Sequence, residues 1–125
     1  MIFDSDILIW AFRKNEAAMQ LVDKFHPFAI SAVTYMELMQ GALNKVELLR
    51  MQKFLKEAET TILPITESIT HRAMHLVDEY ALSDSMEMPD ALIAATSIEN
   101  NEMLYTANDK HYKCVPDLQY QVFRP

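Results

Sequence analysis

Short apolar runs alternate with longer stretches of helical periodicity from one end of this chain to the other, and that alternation admits few folds. Residues 1–4, 28–30, 61–63 and 103–105 read as strands, and 120–123 as a last one. Between them, apolar residues recur at three- and four-residue spacing over 7–12, 16–25, 32–43, 45–58, 66–82 and 89–100, which is the signature of helices with one buried face. In the second of these, Ala17, Leu21, Val22 and Phe25 make the stripe. Ser31 is placed to cap the third, and Pro89 suits the first turn of the last. Strand–helix alternation predicts an α/β sandwich with a mainly parallel sheet. The strands lack the polar–apolar alternation of a half-exposed sheet, as expected when helices cover both faces. There is no internal repeat or linker, and 125 residues suit one domain.

Composition excludes several function classes. Gly41 is the only glycine, so no glycine-rich phosphate loop or dinucleotide fingerprint is possible. Cys114 is the only cysteine; it reads as a small hydrophobe and can form neither an internal disulfide nor a cysteine zinc site. The start of the chain lacks the basic segment and cleavage site of a signal peptide, and no apolar run approaches the ~20 residues that cross a bilayer. A cytoplasmic protein is expected. The net charge of −7 argues against a large non-specific grip on nucleic acid. It leaves room for a nuclease whose acids are offset by a bound cation.

In open parallel sheets, ligands bind beyond the carboxyl ends of the strands. Asp4 ends the first strand, and Thr106, Asn108 and Asp109 follow the fourth. Asp4 is an acid closing an apolar strand and so requires a partner. Ser5 and Asp6 begin the following turn, where either could simply cap a helix. Glu37 shares a helix face with Thr34, Gln40, Gly41 and Asn44, while Tyr35, Met39, Ala42 and Leu43 are expected to pack inward. Taken alone it reads as a surface glutamate. Asp90 leads a helix that is apolar nearly all round (Ala91, Leu92, Ile93, Ala94, Ala95, Ile98) and should therefore be central. Its charge also suits the positive end of that helix. The joint reading is stronger than its parts. At an effective dielectric of ~20, two like charges 4 Å apart repel by ~4 kcal/mol, so a cluster of acids persists only if protonated or occupied by a cation. Oxygen-only ligands with open water positions suit Mg²⁺ or Mn²⁺.

Four segments carry a family likeness. They are Ile2-Phe3-Asp4-Ser5-Asp6-Ile7-Leu8-Ile9, the run from Ile30 to Gly41 around Glu37, Met88-Pro89-Asp90-Ala91-Leu92-Ile93-Ala94-Ala95-Thr96, and Leu104-Tyr105-Thr106-Ala107-Asn108. In this order and with these gaps the chain resembles the PIN-domain ribonucleases, and most closely the VapC-type toxins of toxin–antitoxin pairs, over essentially all of residues 1–125 as one domain. The resemblance implies a three-layer sandwich, with a five-stranded, mainly parallel sheet between helices. It places Asp4, Glu37 and Asp90 in the three acid positions that hold Mg²⁺ or Mn²⁺, and either Asn108 or Asp109 in the fourth. Ser5 and Thr106 match small hydroxyl residues that line such sites. Asp6 stands where the family more often has Asn, and His111, just before the closing aromatic Tyr112, stands where many relatives place another acid. The implied activity is metal-dependent cleavage of single-stranded RNA. The implied partners are a cognate antitoxin and a second copy of the chain, with no membrane.

Two rival readings follow from the same residues. An Asp-x-Asp after a first strand also marks phosphatases with an aspartate nucleophile, but Ile7 and Leu8 stand where their motif continues with Gly or Thr. A binding module that kept the fold and lost its activity is the non-enzyme alternative, although the main acids are all present. Lesser features have plainer explanations. His71 and His75, spaced i, i+4, read as a surface pair. Lys45, Arg50, Lys53 and Lys56 give one helix a basic face that is solvated or touches RNA phosphates. Trp10, Phe12 and the methionines read as core or interface. An apolar groove near the helix from Lys45 onward would suit a partner's helix.

Overall fold

A computed structural model describes all residues, 1–125. The elements in chain order are β1 (Ile2–Phe3), α1 (Ser5–Phe12), α2 (Glu16–Lys24), β2 (Ala29–Ser31), α3 (Ala32–Gln40), α4 (Lys45–Glu57), β3 (Thr61–Leu63), α5 (Glu67–Asp84), α6 (Met88–Glu99), β4 (Leu104–Thr106) and β5 (Tyr120–Val122). The strands form one five-stranded sheet in the order β3-β2-β1-β4-β5, and every pairing is parallel. This is the expected α/β sandwich, and its topology is PIN-like. From β1 the chain steps one way to β2 and β3, then crosses back to place β4 on the other side of β1. The crevice between the carboxyl ends of β1 and β4 is therefore the topological switch point.

The side-chain alternation of a strand divides the core in two. Ile2 and Leu104 point to one face, where they pack with Ile69, Ala73 and Leu76 of α5 and Ile93 and Ala94 of α6. Phe3 points to the other, where it joins Ile7 and Leu8 of α1, Val22 of α2 and Met51 and Leu55 of α4. Helix α3 contributes Val33 to the first cluster and Leu38 to the second. It thus bridges both layers, which carries Glu37 across the end of the sheet.

Local expectations were met where capping chemistry decides, and shifted by a few residues elsewhere. The Ser31 hydroxyl accepts from Val33 N at 3.0 Å and starts α3 as expected. Helix α1 begins at Ser5, earlier than residue 7, because Asp4 itself holds the extended cap conformation (φ −74°, ψ 162°) and accepts from Ser5 N. Strand β1 thus runs into α1 with no intervening turn. The buried stripe of α2 contains Ala18 rather than Ala17. Helix α3 stops at Gln40 rather than 43, since Gly41 takes its C-cap and Asn44 already caps α4. Leu43 therefore falls in the link and is 84% exposed instead of packing inward, while Thr34 is buried. No helix is long and apolar enough to cross a membrane.

Candidate active site

The sheet register sets the first contact of the site. Ile2 pairs with Leu104 and Phe3 with Tyr105, so Asp4 and Thr106 leave adjacent strands at the same level. Asp4 N donates to Tyr105 O at 2.9 Å. The Thr106 hydroxyl then donates to Asp4 Oδ2 at 2.9 Å, and the Tyr112 hydroxyl donates to the same oxygen at 3.1 Å. Ser5 N donates to Oδ1 at 2.8 Å. Asp4 is only 8% exposed. Burial raises its pKa above the ordinary aspartate value, and the three hydrogen bonds oppose that rise.

Asp6 stands on the first turn of α1. Its Oδ2 accepts from Ala107 N at 3.1 Å, which ties α1 to the turn after β4. Burial and the neighbouring Asp4 charge push its pKa up to about 6. Its other oxygen, Oδ1, accepts from Ile7 N at 2.8 Å, so both carboxylate oxygens are engaged, whereas an Asn side chain could accept at only one of these places.

Glu37 reaches the same region from α3 and Asp90 from the first turn of α6. Glu37 is half-buried, and its pKa is pushed up to about 7 by burial first and then by the charges of Asp4, Asp90 and Asp6. Asp90 is also raised, by burial chiefly; nearby His111 lowers it and Asp4 raises it. The charge of Asp4 is thus felt by Asp6, Glu37 and Asp90 alike, from the start of α1, the middle of α3 and the start of α6. Ser5 is the first residue of α1 and gives its amide to Asp4.

The two candidates for a fourth position are engaged elsewhere. Asn108 is exposed, and its Oδ1 accepts from Lys110 N at 3.1 Å. Asp109 lies 3.6 Å from Arg124 and 3.9 Å from Lys113. Arg124 also donates to Ala107 O at 2.6 Å, so the C-terminal segment pins the turn that carries both residues. Tyr112 was read from the sequence only as a closing aromatic. It is buried, and its contact with Asp4 spans 108 positions; no local pattern announces such a contact.

The donor set fits a hard divalent cation. It is made of carboxylate oxygens, and Glu37 Oε1 is a buried oxygen with no hydrogen-bond partner, which leaves a lone pair directed at nothing in the protein. The acids are spread rather than clenched: no three His, Cys, Asp or Glu side chains are close enough to grip one ion together. A cation that keeps several of its waters requires only one or two direct carboxylates, which is the habit of Mg²⁺.

Comparison with known proteins gives one consistent answer. The PIN domain family matches residues 1–117. A curated relative, Ribonuclease VapC19 of Mycobacterium tuberculosis, is 29% identical over 123 residues, covering 94% of this chain and 96% of the relative. Among solved structures, a toxin–antitoxin complex from Klebsiella pneumoniae contains a chain that is 31% identical with a TM-score of 0.78, over 94% of this chain and 93% of that one. VapBC2 from Rickettsia felis, solved bound to a DNA fragment from its promoter, shares the fold with a TM-score of 0.81 at 23% identity, over 99% of this chain and 100% of that one.

Proposed function

From the premise that the chain belongs to the PIN-domain family, we propose that it is a Mg²⁺- or Mn²⁺-dependent endoribonuclease that cuts single-stranded RNA and acts in the cytoplasm as the toxin of a toxin–antitoxin pair. The observation that carries this reading is that Asp4, at the switch-point end of β1, and Asp90, at the start of α6, both act on the charge of Glu37 on α3.

In this reading Asp4, Asp90 and Glu37 would hold the hydrated metal, one or two of them directly and the rest through its waters. When bound, the ion lowers the pKa of a water and neutralises charge on the phosphate oxygens. The chain's own residues do the rest. Thr106 and Tyr112 fix the Asp4 carboxylate through Oδ2, and Asp6 fixes the turn after β4 through Ala107 N. Glu37, whose Oε1 has no partner in the protein, is suited to orient the attacking water or take its proton. An aspartate-nucleophile phosphatase is disfavoured by the residues after the acids, since Ile7 and Leu8 stand where that motif continues with Gly or Thr.

The partners proposed are a cognate antitoxin and a second copy of the chain. The named relatives support the first, and two apolar surfaces support the pair. Leu43, Val46 and Leu49 are exposed around the start of α4. A groove of about 480 Å³ between α5 and α6 is lined by Ile65, Ala73, Met74, Val77, Met88 and Leu92. The apolar groove expected beside α4 thus lies on the opposite layer, because the cleft against α4 is lined largely by charged residues.

The test is cleavage of an end-labelled, unstructured RNA by purified protein, with Mg²⁺ or Mn²⁺ and with EDTA. The wild type should cut only with metal. Changes to partners that merely orient metal ligands cost 10–100-fold, so Asp4→Asn and Asp90→Asn should each lose more than about 100-fold with the circular dichroism spectrum unchanged. Cleavage that survives EDTA, or survives both substitutions, would overturn the assignment.

A further inference from the structure

We infer that the cleft between the carboxyl end of α1 and helix α4 is the track along which the RNA backbone enters, with Arg13, Lys14, Arg50 and Lys53 binding phosphates beside the scissile one. The inference rests on the nuclease reading and adds the residues that grip the substrate. The cleft holds about 430 Å³ and is lined by those four cations, by Phe12 and Phe54, and by two acids, Glu47 and Glu57, so cations outnumber acids two to one. Its volume falls within the range of sites for small molecules. A smaller pocket of about 100 Å³ shares Phe12, Arg13 and Glu47 with the cleft and is also lined by Glu37 and Gly41. Glu37, which feels the charges of Asp4 and Asp90, thus also lines a recess that adjoins the basic cleft.

Charge distribution favours a polyanion as occupant. The chain carries net charge −7, yet six of its eleven Lys and Arg residues are Arg13 and Lys14 at the end of α1 and Lys45, Arg50, Lys53 and Lys56 on α4. Arg13, Lys14 and Arg50 make no ion pair; Lys53 meets Glu57 at 3.8 Å, with both side chains largely exposed. The edge-to-face rings of Phe12 and Phe54, 6.1 Å apart, are partly exposed and offer bases an apolar surface. A protein segment would need a mainly apolar floor, since charged residues are depleted at the centres of protein interfaces. Cations at the end of α1 also compensate the helix dipole, but that does not account for Arg50 and Lys53 across the cleft. Lys14 is held at φ 64°, a left-handed conformation that Gly or Asn occupies at lower cost. The turn alone therefore does not call for lysine.

Binding and cleavage are measured separately, so that failure of the track and failure of the nuclease reading remain distinct. Anisotropy of a fluorescein-labelled, unstructured 20-nucleotide RNA, without divalent metal, gives affinity and its salt dependence. Arg13→Gln/Arg50→Gln should bind at least tenfold more weakly. Its log–log salt slope should be about 1.4 shallower, at about 0.7 per released single-strand contact. Lys14→Asn should bind several-fold more weakly while melting no lower than the wild type, because Asn tolerates the left-handed turn. Lys113→Gln, outside the cleft, should bind as the wild type does. Cleavage of a labelled tetranucleotide too short to fill the groove should fall less than cleavage of the 20-mer. Wild-type affinity and salt slope in both cleft variants would overturn the inference and leave the groove to a protein partner, whether or not the wild type cuts RNA.

Discussion

The two ends of α1 lie about 12 Å apart and carry opposite charges in opposite surroundings. At the amino end Asp4 is buried and Asp6 half-buried, so their charges act on one another and on Glu37 and Asp90 through protein. At the carboxyl end Arg13 and Lys14 are exposed, facing other exposed cations across a wet cleft. Two like charges 4 Å apart cost ~4 kcal/mol at an effective dielectric of ~20 but only ~1 kcal/mol in water. The same count of charges is therefore a strain on the fold at one end and nearly free at the other. In the proposed reading, the first end needs a cation to be tolerable, and the second is available for a mobile polyanion at little cost in stability.

The largest effect expected from this contrast comes from Glu37→Gln. It should remove more than about 100-fold of cleavage activity while raising the melting temperature in EDTA, since it deletes a half-buried charge that three other acids oppose. The pH dependence follows with an unusual sign. Glu37 and Asp6 have folded pKa values of about 7 and about 6, above their ordinary 4.5 and 3.8. Between about pH 4 and 7 the folded chain therefore holds more protons than the unfolded one, and stability falls as pH rises through that window and levels off above it. Differential scanning fluorimetry in EDTA should show the fall. Mg²⁺ or Mn²⁺ should reverse it above pH 7 by binding the folded state alone, and Glu37→Gln should flatten it. Stability that rises across this window would mean that the acids do not act on one another.

A smaller effect is expected from Tyr112→Phe, which leaves the charges in place and removes one hydrogen bond to buried Asp4. The cost to stability should be about 1–2 kcal/mol by chemical denaturation. Activity should fall roughly tenfold through poorer orientation of the carboxylate. Wild-type activity in this variant would show that Thr106 and Ser5 suffice to hold Asp4.

Tyr112 also marks where sequence reasoning stops. The strand–helix alternation and the Ser31 cap are local physics, and each is written in a few neighbouring residues. Asp4 and Thr106 could be placed because parallel strands deliver their carboxyl ends to one edge. Glu37 taken alone reads as a surface residue, and only the family resemblance sets it among the acids, because its half-burial depends on α3 bridging both layers of the core. Tyr112 and Arg124 act through turns whose direction depends on packing of the whole C-terminal segment, and no periodicity encodes that. The basic face of α4 was visible in the sequence, but its opposition to Arg13 and Lys14 arises only when α1 and α4 pack on the same face of the sheet.

The smallest effect is the one that isolates burial as the cause. Lys53→Gln deletes one unit charge from the basic end, together with an exposed pair to Glu57 at 3.8 Å. Exposed i, i+4 pairs contribute about 0.3–0.5 kcal/mol, and solvent screens the remaining charge. The melting temperature should move by no more than about 2 °C, and its dependence on pH between 4 and 7 should match the wild type, because no acid of the site loses a neighbour. A shift as large as that of Glu37→Gln, in either direction, would mean that burial is not what separates the two ends of α1. The acid pocket would then need an explanation other than repulsion between charges held out of water.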